Sequence, residues 1–101
     1  MEHMVFMKLI PGAFDDAAER DYRETFAALQ SALPDDILAV SVRKNCVSRE
    51  QNMDVLIHMT LAGESSLQAY LNHPIHRAIG QRYNDKIVSI ASFDYQEDDH
   101  D

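Results

Sequence analysis

Tyr70-Leu71-Asn72-His73-Pro74-Ile75-His76 decides how this chain is divided. His73 precedes a proline and is pushed out of helical geometry, whereas Pro74 suits the first turn of a new helix. The stretch therefore predicts a helical region in two pieces. The first starts at Gly63-Glu64-Ser65-Ser66 and carries Leu67, Tyr70 and Leu71 on one side. The second buries Ile75, Ala78, Ile79 and Tyr83 and ends near Asn84-Asp85.

Strands lie on both sides of this region. Upstream, Met53, Val55, Ile57, Met59 and Leu61 alternate with Asp54, Leu56, His58 and Thr60, the pattern of a third strand. Before it, Leu38, Val40 and Val42 alternate with Ala39, Ser41 and Arg43 as a half-buried second strand, and Ser48 to Asn52 is a polar turn. Downstream, Ile87 to Tyr95 reads as the last strand. At the other end, Met4 to Ile10 is a strand apolar on both faces: Val5, Met7 and Leu9 on one, Met4, Phe6 and Ile10 on the other, with Lys8 intruding. Pro11-Gly12 stops it. Asp15 or Asp16 then caps a helix whose stripe Ala18, Tyr22, Phe26, Leu29 and Leu33 recurs every three or four residues up to Pro34.

The order β-α-β-β-α-β predicts a ferredoxin-like α+β fold, an antiparallel four-stranded sheet with the helices on one face. The other face carries Met4, Phe6, Leu56, Val88 and Ile90, a larger apolar patch than a monomer tolerates. A second copy packing sheet to sheet, a two-fold homodimer, is the expected solution.

The 101 residues form one domain, expected over 1–95 and followed by a disordered acidic tail at 96–101. With 17 acids against 9 bases the net charge is −8, which argues against nucleic acid and anionic membrane surfaces as partners. Cys46 is alone and makes no internal disulfide, no apolar run approaches the ~18 residues of a membrane span, and the N-terminus lacks a basic leader. The expected location is cytoplasmic. No glycine-rich phosphate loop or nucleotide motif appears.

His3-Met4-Val5-Phe6-Met7-Lys8-Leu9 with Pro11-Gly12, the segment Leu67 to His76 containing Tyr70 and His-Pro-x-His, Asp54, and Phe93-Asp94-Tyr95 together resemble the stress-responsive α/β barrel domain proteins. The resemblance covers roughly residues 3 to 95. It implies a dimeric α+β barrel of two ferredoxin-like sheets. Arg43 departs from it, standing where many members carry glycine. Some plant members are polyketide cyclases that close a poly-β-ketone into an aromatic ring with no metal or organic cofactor, and related barrels include cofactor-free monooxygenases and small-molecule isomerases. Such kinship sets an expectation and assigns no reaction.

The residues matching the cyclases are His76 and Tyr70, with His3, Val5 and Met7 of the first strand lining the same pocket. Histidine can take an acidic proton between two carbonyls near neutral pH, and a phenol can donate to the resulting enolate oxygen. No cofactor and no metal is expected. His73 and His76 are three apart and Cys46 is remote, so a four-ligand zinc site does not assemble from sequence; His100 in the tail adds at most a weak ligand. Two readings stay open: a module binding a small apolar or aromatic molecule, in which His76 caps the broken helix and Tyr70 is a core aromatic, or a cofactor-independent enzyme with His76 as base and Tyr70 as donor. His73 is expected to cap, His58 to be structural, and Cys46 to be a plain small residue.

Overall fold

A computed structural model describes residues 1–97, so all of the expected acidic tail beyond Gln96 and Glu97 lies outside the described residues. The elements run β1 (Glu2–Leu9), α1 (Asp16–Ala32), β2 (Ile37–Lys44), β3 (Val55–Leu61), α2 (Glu64–Leu71), α3 (Pro74–Arg82) and β4 (Ile87–Tyr95). The strands form one antiparallel sheet in the order β2-β3-β1-β4. This is the ferredoxin-like α+β arrangement.

Local chemistry sets the helix boundaries. Asp15 Oδ1 accepts from the Ala18 N–H at 2.9 Å and caps α1. The stripe Ala18, Tyr22, Phe26 and Leu29 then faces the sheet. At the helix break, His73 is extended (ψ 138°), the geometry both a pre-proline residue and an N-cap require, and its Nδ1 accepts from the Ile75 N–H at 3.1 Å. His73 is thus committed to capping α3. In that helix Ile79 is buried and Ile75 partly so, but Ala78 is exposed, against expectation, because only the side of α3 carrying Ile75 and Ile79 meets the core.

Val5, Met7 and Leu9 of β1 and Val55, Ile57, Met59 and Leu61 of β3 supply the sheet side of the core. Leu29 and Met59 are completely buried, each stabilising the fold by about 1.5–3 kcal/mol relative to exposure. In β2 the simple alternation fails. Ile37 pairs with Leu61 and Ala39 with Thr60, leaving Leu38 as the extra residue of a bulge. Leu38 is therefore exposed, and Ile37 takes the buried position expected for it.

The helices leave the second sheet face open. Residues directly opposite on neighbouring strands share a face, so the pairs Met4–Phe93, Phe6–Leu56 and Glu2–Tyr95 place Phe93 and Tyr95 there with Met4, Phe6 and Leu56. Phe93 is 61% exposed. Ile90 instead pairs with Met7 and so lies on the helix side, correcting its expected place on the open face; it is exposed because no helix packs closely over β4. Across the open face Glu2 Oε1 accepts from His58 Nε2 at 2.7 Å and from the Thr60 hydroxyl at 3.0 Å. His58 is thereby engaged on the side of the sheet away from the helices.

Candidate functional site

The break between α2 and α3 folds Tyr70 and His76 back on one another. Their ring centroids are 4.6 Å apart in an edge-on contact. Tyr70 is 2% exposed and is wedged over the N-terminal end of β1, with the His3 ring 5.5 Å away and Phe26 of α1 at 6.4 Å. His3 is buried on the helix face of β1, and its Nδ1 meets the Asp94 carboxylate on β4, the residue directly opposite it in the sheet. Four elements therefore contribute to one line of groups: Asp94, His3, Tyr70 and His76.

The electrostatics divide the roles of the last two. Burial pushes the Tyr70 phenol well above its ordinary range, and the Asp94 carboxylate adds to this by disfavouring a second negative charge nearby. Burial lowers the affinity of His76 for a proton. The Leu71 carbonyl opposes that shift and His3 reinforces it, and the net result is a lowered pKa. Near neutral pH the site thus presents a phenol that keeps its proton beside an imidazole that has lost one: a donor next to a base.

His76 is half-buried and lines an open surface depression of about 500 Å³ together with Leu71, Arg77, Gly80, Gln81 and Asn84. The imidazole both lines this depression and meets the Tyr70 ring. Val5 and Met7 follow His3 on the same face of β1 and are packed into the hydrophobic core. Cys46 is exposed beyond β2, away from this line of groups. Among the described residues no three His, Cys, Asp or Glu side chains gather as a metal site would require, and no helix is long and apolar enough to cross a membrane.

Asp94 is the site residue that sequence reasoning passed over as a candidate. It lies 91 residues from His3, and only the register of β1 with β4 brings them together. Its signal was present: Asp94 is the single charge in the otherwise apolar or hydroxylated strand Ile87 to Tyr95.

Comparisons with known proteins agree with this architecture. Residues 1–97 match the family described as the stress responsive A/B barrel domain. No curated protein matches the chain. Among solved structures, a dimeric protein of unknown function with a ferredoxin-like fold from Bacteroides fragilis superposes with a TM-score of 0.80 at 21% identity, over 95% of this chain and 94% of that one. A dimeric ferredoxin-like protein of unknown function from Thermobifida fusca gives 0.73 at 20% identity, over 91% and 85%. A hydroxynitrile lyase from Passiflora edulis gives 0.75 at 11% identity, over 98% and 94%. At these identities the likeness is one of fold.

Proposed function

Because the chain belongs to the stress responsive A/B barrel domain family, we propose that its Tyr70–His76 pair is a cofactor-independent acid–base site for a small carbonyl-bearing apolar or aromatic molecule, as in the polyketide cyclases it resembles. The observation that carries this reading is the edge-on packing, ring centroids 4.6 Å apart, of a phenol held protonated against an imidazole held neutral. His76 removes a proton from a carbon between two carbonyls. The electrons move into an enolate whose oxygen accepts from the Tyr70 hydroxyl. The enolate carbon then bonds to a distant carbonyl carbon of the same chain, the new alkoxide recovers the proton from the His76 imidazolium, and loss of water gives the ring. Substrate reaches His76 through the depression between Leu71 and Gly80. That the Passiflora neighbour is a lyase is compatible with acid–base chemistry on this fold and supports nothing narrower.

The reading is tested with a linear poly-β-ketone thioester as substrate. His76→Ala should lower turnover by about 100-fold or more, the scale of a lost general base, with the quaternary state unchanged. In the unaltered protein the acid limb of the pH–rate profile should fall below the ordinary imidazole range, since His76 works unprotonated and its pKa is lowered. Unchanged turnover in the His76 variant would end the proposal. A second reading, a binding module without turnover, is favoured by the packing of Val5 and Met7 into the core instead of a cavity wall; retained ligand binding with no turnover in either protein would select it.

We further infer that the chain works as a homodimer, two open sheet faces enclosing Met4, Phe6, Leu56 and Phe93. The exposure of Phe93 and the dimeric state of the Bacteroides and Thermobifida neighbours support this. Light scattering that finds a monomer at micromolar concentration would overturn it.

A further inference from the structure

The open face of the sheet is apolar at Met4, Phe6, Leu56 and Phe93, yet its β1–β3 rungs also hold a carboxylate. Glu2 is 8% exposed, and its Oε1 accepts from His58 Nε2 at 2.7 Å and from the Thr60 hydroxyl at 3.0 Å. Burial disfavours the charge on Glu2. The bonds from His58 and Thr60, with the positive charges of His58 and the N-terminal ammonium, outweigh that and hold the carboxyl below its ordinary range. Glu2 is therefore an anion near neutral pH. The His58 side chain is 35% exposed, so water reaches the pair in a single chain. A second sheet laid over this face removes that water.

The groups that face the pair are mostly uncharged. Met4 on β1 and Ser41 on β2 stand opposite His58, while Thr60 and the Tyr95 phenol stand opposite Glu2. Among the described residues, Arg43, opposite Leu56, and Lys8, opposite Ser89, are the cationic side chains of this face, and both lie further along the strands. The Met1 ammonium donates to the Leu61 carbonyl at 2.9 Å. His58 is thus the group placed to neutralise Glu2 when the face is covered.

We propose that Glu2, His58 and Thr60 are the polar element of the sheet-to-sheet interface and make its assembly proton-linked: two copies associate with His58 protonated and loosen when it gives up the proton. The proposal rests on the homodimer reading and adds its regulation. Its sign follows from charge. With His58 protonated, each copy brings a neutral pair into the interface. With His58 neutral, each copy brings the bare negative charge of Glu2, which is costly away from water. Replacing water by a covering sheet strengthens the attraction within the pair about fourfold, and desolvation of the imidazolium takes part of this back. The dimer therefore binds more protons than two single chains, and association weakens as pH rises.

The test measures the dimer Kd of the full chain by sedimentation velocity from pH 6 to pH 8.5, the range over which imidazoles change charge. Salt at about 0.15 M screens the remaining surface charge. The Kd should rise about tenfold, the equivalent of one pKa unit shared between two imidazoles. His58→Gln keeps a donor to Glu2 without a titrating group, and its Kd should stay within about twofold across the range. Glu2→Gln should reverse the slope, because the protonated imidazole is then the uncompensated charge. A merely structural cluster would change Kd by the same factor at every pH. Calorimetric dilution of the unaltered dimer near pH 7, in two buffers of different ionisation heat, should show protons released on dissociation, which keeps the test independent of whether the variants fold. A dimer with a level Kd, an unchanged slope in His58→Gln, or no proton release overturns the linkage while leaving the homodimer standing. A single chain at every pH overturns both.

Discussion

Replacing Asp21 by alanine should loosen the helix that carries His76. Asp21, in the middle of α1, accepts from Arg82 Nε at 3.1 Å and Nη2 at 3.0 Å, from the Tyr83 hydroxyl at 2.9 Å and from the Thr25 hydroxyl at 3.2 Å. The first two residues close α3, so this carboxylate ties the C-terminal end of α3 to α1 while His73 and Pro74 define the other end. Hydrogen bonds to charged groups contribute about 1.5–3 kcal/mol when shielded. Here the Arg82 and Asp21 side chains are 46% and 33% exposed, and exposed ion pairs yield only about 0.2–1 kcal/mol. Adding the half-buried Tyr83 bond, the loss should be about 1–2 kcal/mol, or about 5–15 °C in Tm for a domain of this size. Burial raises the Asp21 pKa, but the hydrogen bonds from Arg82 and Tyr83, with the Arg82 charge and Thr25, outweigh it and hold the carboxyl below its ordinary range. A depressed carboxylate contributes its stability above the unfolded value, near pH 4, and loses it as pH falls through the folded value. Urea midpoints of the two proteins should therefore differ most at pH 7 and converge below about pH 4. A Tm change under about 1 °C, or a gap that stays constant from pH 7 to pH 3, would refute the reasoning.

Two further substitutions probe other parts of the fold. Phe93→Glu places a charge on the open sheet face and should leave a folded monomer by light scattering where the unaltered protein, on the homodimer proposed above, scatters as a dimer, with the far-ultraviolet circular dichroism unchanged; a variant that is still dimeric would refute the sheet-to-sheet interface. Asp15→Ala removes the cap on α1 and should cost about 1 kcal/mol in urea unfolding with an unchanged m-value, whereas no loss would show that the Ala18 N–H finds another partner.

Which features could be read from sequence follows from how local their causes are. The α1 stripe, its cap at Asp15 or Asp16 (Asp15 in the structure), the alternation of β3 and the His73-Pro74 break each depend on residues a few positions apart, and each is found where the pattern places it. Leu38 could not be placed this way. A bulge inserts one residue against β3 and shifts the phase of β2, so a pattern of period two puts Leu38 inside when Ile37 is the buried residue. Ile90 departs from its expected face for a related reason: β4 follows the register of β1, and its exposure on the helix side depends on where the helices stop. In the site, the nearness of Tyr70 to His76 was legible because the break lies between them. The partnership of His3 with Asp94 was not, since it arises from strand pairing across nearly the whole chain. Likewise Glu2, His58 and Thr60 join on the open face only through the β1–β3 register.

That His3, Tyr70, His76 and Asp94 come from β1, α2, α3 and β4 respectively has a thermodynamic consequence. No unfolded or half-folded chain presents these groups together, so whatever occupies the site binds the native state alone. Occupancy is then linked to folding by mass action: a ligand at 100 times its Kd adds about 2.7 kcal/mol to the unfolding free energy, equivalent to about 10–20 °C in Tm at this chain length. A molecule of unknown identity can accordingly be sought by heating the protein in the presence of a compound collection, with no prior commitment to a reaction, and the melting temperature itself ranks the candidates.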